Sequence, residues 1–153
     1  MTDAAMWPGQ RIVDDDLAAC CRAGLWLLHD FLDESHQISQ RIDTATGSFW
    51  HGIMHRREGD YSNAKYWFRR VGPRHAVFEA LAAELQHTGG QRRDTLIEQA
   101  IGSHDRWDAA RFVDLCQAAA GRGTDDEMLC RRVQQREWRL LFDDCYRGAV
   151  ENG

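Results

Sequence analysis

Apolar residues return every three or four positions along most of the chain, and no stretch alternates cleanly with a period of two. That spacing sets one face of a helix against a core and argues against half-buried strands. Leu17, Cys20, Cys21, Gly24, Leu28, Phe31 and Leu32 keep it. Asp14, Asp15 and Asp16 stand where acids suit the positive end of a helix dipole, so a helix is predicted over 14–33. The polar run from Asp33 to Gln40 reads as a helical turn leading into a loop that ends at Thr46-Gly47. Two helices over 48–58 and 61–71 follow, joined at Gly59-Asp60, and Gly72-Pro73 reads as a stop and a new start. Phe78, Leu81, Ala82 and Leu85 form the next stripe, closed by Gly89-Gly90. Residues 91–102 are ambiguous, with a short helix near Thr95 to Ile101. A helix over 104–120 carries Phe112, Leu115, Cys116 and Ala119 and stops at Gly121-Arg122-Gly123. The last, over 125–147, starts at Thr124-Asp125 and packs through Trp138, Leu141, Phe142 and Cys145. The expected fold is all-α: one domain over 1–153 with a loose lead-in over 1–12, built as an antiparallel bundle of six or seven helices.

Composition narrows the class. A chain of 153 residues, 43% hydrophobic and 28% charged, can bury a core of its own. No run approaches the roughly 20 apolar residues of a membrane span, and the N-terminus lacks the basic and apolar regions of a signal peptide, so a cytoplasmic location is expected. The five cysteines (Cys20, Cys21, Cys116, Cys130 and Cys145) contain no Cys-x-x-Cys and read as reduced core thiols. The net charge of −5 argues against nucleic acid as a partner. It is unevenly spread. Residues 51–75 carry six basic side chains against two acidic ones, a local +4 that leaves −9 for the remainder.

That basic stretch also holds the chemistry. His51, His55 and Glu58 are spaced i, i+4, i+7, which at about 100° per residue projects them from one helix face. Two imidazoles and a carboxylate so placed can ligate a divalent metal or move protons near neutrality, and these three are the candidate catalytic and metal-ligating residues. The competing reading is a polar helix face with a Glu–His contact. The metalloprotease signature is absent, because Gly52, Ile53 and Met54 stand between the two His. On the following helix Tyr61, Ala64, Phe68 and Val71 form a packing stripe, Asn63, Tyr66, Trp67 and Arg70 a second, and Lys65 and Arg69 a third. Tyr, Trp and Arg together suit sugars and planar or anionic ligands. A Schiff base at Lys65 has little support. There is no Ser-nucleophile elbow, no Walker loop, no Gly-x-Gly-x-x-Gly and no zinc spacing of the Cys.

Two resemblances bear on this segment. Gly52, His55, Gly59-Asp60-Tyr61, Ala64 and Phe68 resemble one tetratricopeptide hairpin, without a second copy along the chain. Three longer strings resemble an uncharacterised family of small bacterial proteins with relatives in fungi. They are Asp33 to His36, Gly47 to Glu58 (GSFWHGIMHRRE) and Asp60 to Gly72 (DYSNAKYWFRRVG). This resemblance spans residues 30–80 and implies a site location only. It adds Asp33, Glu34 and His36 to the candidates.

The expected function is binding of a small anionic or polyhydroxyl ligand, with or without a metal, in a pocket between the hairpin and the first helix. His51 and His55 would act as acid/base or metal groups, oriented by Glu58 or Asp60. Arg56, Arg57 and Arg70 would supply charge, Tyr66 and Trp67 would stack on the ligand, and Asn63 and His36 would contact it. The alternative is a protein-interaction module using the same hairpin, with Trp67 and Arg70 as anchors. RNA binding through the Arg-rich patch is the weakest reading. Oligomeric state is left open.

Overall fold

Capped helices account for most of the chain. The computed structural model describes residues 6–87, 95–102 and 106–151. Among them are eight helices: α1 (Asp15–Leu28), α2 (Leu32–Ser39), α3 (Ala45–Glu58), α4 (Tyr61–Val71), α5 (Ala76–His87), α6 (Thr95–Ala100), α7 (Ala109–Ala119) and α8 (Asp125–Ala149). Side-chain oxygens set five of the starts. Asp14, Thr44, Asp60, Asp108 and Thr124 each accept from a backbone N–H three residues on, satisfying a donor the first turn leaves free. The fold is all-α apart from a two-residue antiparallel ribbon, β1 (Ile101–Gly102) and β2 (Arg106–Trp107), with Ile101 opposite Trp107.

Three expectations change. The helix foreseen over 14–33 breaks at Asp30, whose φ of 67° is left-handed, and the polar run beyond it forms a full helix, α2. Hence the described residues hold eight helices rather than six or seven. Apolar spacing runs on through Phe31 and Leu32, so periodicity alone hides the break. The helix expected from 104 begins at Ala109, because Asp108 caps it and the preceding residues enter the ribbon. Residues 6–12 of the lead-in, with Val13 after them, are tied to the C-terminal end of α8: Ile12 bridges Val150, Val13 N–H donates to Ala149 O at 2.8 Å, and Trp7 is buried beside Tyr146. Those partners lie some 140 residues away in the chain, beyond the reach of local patterning. Gly89-Gly90 lies outside the described residues.

The core surrounds α3. Every residue from Gly47 to Arg56 is buried, which marks a central helix rather than a surface one. It is enclosed by α1, α2 and α4, and α8 reaches it through side chains. Two glycines permit the close approach. A Cβ on Gly24 of α1 would lie 2.7 Å from the Trp50 ring, and one on Gly52 would lie 3.2 Å from Phe68 of α4. Trp50 is fully buried and its indole N–H donates to Cys145 Sγ of α8 at 3.5 Å. All five cysteines are buried free thiols. No described helix is long and apolar enough to cross a membrane.

A three-histidine cluster as candidate functional site

Because α3 is buried all round, its polar residues enter the interior and must find partners there. The reversal at Asp30 lays α2 beside α3 and carries His36 to His51 and His55. One ring nitrogen from each of the three imidazoles falls within 4.8 Å of the other two. His51 and His55, one turn apart, stack at 4.8 Å between ring centres with an 18° tilt. His36 meets both edge-on, at 4.7 and 5.4 Å. On the other side of His51 the Trp67 ring of α4 lies parallel at 3.8 Å and holds the imidazole plane.

The hydrogen bonding is uneven. His55 Nδ1 stands 2.6 Å from Glu58 Oε1. Since a carboxylate only accepts, Nδ1 carries the proton and Nε2 is left with its lone pair. The Asn63 amide donates to that Nε2 at 3.2 Å. His51 is 2% exposed and neither of its ring nitrogens has a hydrogen-bond partner. A buried polar atom without a partner costs about 1–3 kcal/mol. Burial, reinforced by the neighbouring His55 and His36, pushes the His51 pKa from 6.5 down to about 3. His51 is therefore neutral at pH 7, with a lone pair available.

The sequence-derived candidates divide between two sides of α3. His36, His51, His55, Asn63 and Trp67 converge, and Glu58 joins them through His55 rather than as a third ligand beside His51. Asp60 caps α4; its carboxyl accepts from Asn63 N–H at 3.1 Å and from the Ser62 hydroxyl, which holds its pKa below the ordinary carboxylate value. It also lies within reach of His55 and Glu58. Trp67 spends one ring face on His51 and carries Arg70 at 5.2 Å, while Arg70 reaches Asp43 at 3.1 Å and Tyr66 is exposed, edge-on to Trp67.

Arg56 and Arg57, expected beside the His pair, turn away from it. The Arg56 guanidinium is buried between the Phe68 and Phe112 rings and paired with the buried Glu137 of α8. Arg57 donates to Leu27 O and to Asp30. Residue 56 follows His55 by about 100° around the helix, which turns its side chain off the imidazole face. The two arginines border a cleft of about 690 Å³ between α1, α3, α7 and α8. Asp33 and Glu34 are exposed in the first turn of α2 and contact none of the imidazoles among the described hydrogen bonds and ion pairs. Lys65 forms a half-exposed pair with Asp114 at 2.8 Å.

Two partners escaped sequence reasoning. Asp43 sits in the loop before α3 and is brought to Arg70 by the chain reversal. His75 is half-buried against Phe49, with Nδ1 accepting from Val77 N–H at 3.2 Å and Nε2 at 3.2 Å from the Thr46 hydroxyl. The Gly72-Pro73 stop just before it was the available signal that His75 opens a helix. No family model, no curated protein and no solved structure matches the chain.

Proposed function

We propose that the protein binds a divalent transition-metal ion between His36, His51 and His55, leaving one coordination position open to an exchangeable ligand. The observation that carries this reading is the buried, unpartnered His51 beside two further imidazole nitrogens within 4.8 Å. An isolated core histidine is ordinarily satisfied, whereas three imidazoles that share a space without hydrogen-bonding one another are a ligand set. Around a tetrahedral ion with bonds of about 2.0–2.1 Å, ligand nitrogens lie about 3.4 Å apart, so small side-chain rotations close the set. Glu58 supplies the carboxylate that orients a ligating imidazole and fixes its tautomer. Trp67 restrains the plane of His51. Asn63, now donating to His55 Nε2, would release that nitrogen to the ion and turn its amide to the fourth ligand.

All-nitrogen ligation favours zinc, copper, nickel or iron over calcium and magnesium, which take oxygen. Three protein ligands with a free position are also the arrangement of zinc sites that bind water or an anion. The test is cobalt or zinc uptake after chelation. One ion per chain is expected, with a tetrahedral cobalt spectrum, and His51→Ala and His36→Ala should each weaken uptake. Uptake equal in wild type and the His51→Ala variant would sink the proposal. The interaction-module reading has less to stand on, since Trp67 is occupied by His51 and Arg70 by Asp43.

A further inference from the structure

The C-terminal half of α4 also borders a hollow whose described lining includes none of the three imidazoles. A cavity of about 520 Å³ opens between the end of α4 and the start of α7, and a smaller hollow of about 140 Å³ continues it along α5. The larger volume is within the roughly 300–1,000 Å³ of ligand sites. Its walls are aromatic: Phe68, Phe78 and Trp107, each 3–5% exposed.

Among the described residues, the polar side chains lining the larger cavity are donors apart from Asp108. Trp107 Nε1 is buried and has no hydrogen-bond partner, an indole N–H withheld from water without compensation. Arg69 and Arg106 are exposed at the rim, and neither has a hydrogen-bond or ion-pair partner among the described residues. Ala109 and Ala110 place the first turn of α7 in the wall, where backbone N–H groups lack a helical acceptor. Among the described residues Asp108 is the acid of the larger cavity's lining, and its carboxylate is turned onto Arg111 N–H at 2.9 Å; the exposed Glu79 borders only the smaller hollow. In the larger cleft on the opposite face, by contrast, three of the four arginines (Arg56, Arg57 and Arg131) are already held by Glu137, Asp30 and Glu127.

We infer that this cavity is a binding site for a small aromatic oxyanion, a flat ring bearing a carboxylate or phosphate. The ring fits among Phe68, Phe78 and Trp107. The oxyanion takes the Trp107 N–H, the Arg69 and Arg106 guanidiniums and the open turn of α7. The site is independent of the metal reading and shares no residue with it.

The experiment is calorimetric titration of the full chain with 2-naphthoate and with adenosine monophosphate, alongside 2-naphthylmethanol and inorganic phosphate as half-ligands. At least one aromatic anion should bind clearly tighter than either half-ligand. Binding of the naphthoate alone assigns a carboxylate, and binding of the nucleotide alone a phosphate. Arg69→Gln and Arg106→Gln, both at exposed positions, should each weaken binding about tenfold by removing a charge-assisted contact. Trp107→Phe keeps a ring and removes the donor, for a loss of about fivefold. Arg57→Gln, on the opposite cleft, should leave binding unchanged. The inference is overturned if neither anion binds at millimolar concentration, if a half-ligand binds as tightly as the aromatic anion, or if the Arg69 and Arg106 variants bind like wild type.

Discussion

His51 shows how one residue ties stability to pH. Its pKa falls from 6.5 unfolded to about 3 in the fold, because burial disfavours the imidazolium. Between those values the unfolded chain binds the extra proton, so stability is fully present above about pH 6.5 and is lost as the pH falls toward 3. His75 is lowered by burial as well and acts in the same direction. Urea unfolding of metal-free protein at pH 7, 6 and 5 should show a falling midpoint, and His51→Gln should flatten the slope; a midpoint that holds steady from pH 7 to 5 would refute the assignment. Arg56 poses a second question at this scale. Its pair with Glu137 is buried at 3% and 0% exposure. Removing one partner strands a charge and should cost about 3–5 kcal/mol, whereas replacing both by apolar residues of similar volume should restore most of the loss. Denaturant unfolding of Glu137→Leu and of Arg56→Met with Glu137→Leu measures both values. The sequence placed Arg56 in a basic patch, and a run of charges does not reveal that one member is enclosed by α8.

Among the elements, the α3–α4 hairpin was the most legible. Its boundaries at 58 and 61, the Gly59-Asp60 joint and the stop at Gly72 are local signals, and each is where the chain turns. Gly59 adopts φ +89°, and a Cβ there would meet nothing within 4 Å. Gly59→Ala should therefore cost about 1–2 kcal/mol through backbone strain alone, with cobalt uptake at the proposed site unchanged. Thermal unfolding beside cobalt uptake separates the two effects, and a variant as stable as wild type would contradict the assigned conformation. The first helix was less legible. Its apolar spacing continues through a left-handed residue, Asp30, so one long helix was expected where two stand. That break brings His36 onto the cluster, and only the resemblance of its string, not periodicity, had marked His36 at all.

For the whole molecule the proposed ion is a linkage between helices. His36 comes from α2 and the other two ligands from α3, so an ion bound only by the folded chain stabilises their packing. At a hundredfold excess over Kd the gain is about 2.7 kcal/mol, which for a chain of this length raises Tm by about 5–10 °C. A zinc-dependent shift that is absent in His36→Ala is the expected result, and an equal shift in that variant would place the ion elsewhere. What the sequence determined by itself is the helical class and the hairpin with its turns at 58–61 and 72, because these follow from contacts within a few residues. What only the tertiary structure decided is which side chains meet. His36 crosses to His51 and His55, Arg56 crosses to Glu137, and Trp107 with Arg106 comes to face Arg69. Such pairings depend on where the chain reverses and how helices pack, and one residue of rotation on a buried helix, about 100°, turns a side chain from one set of neighbours to another.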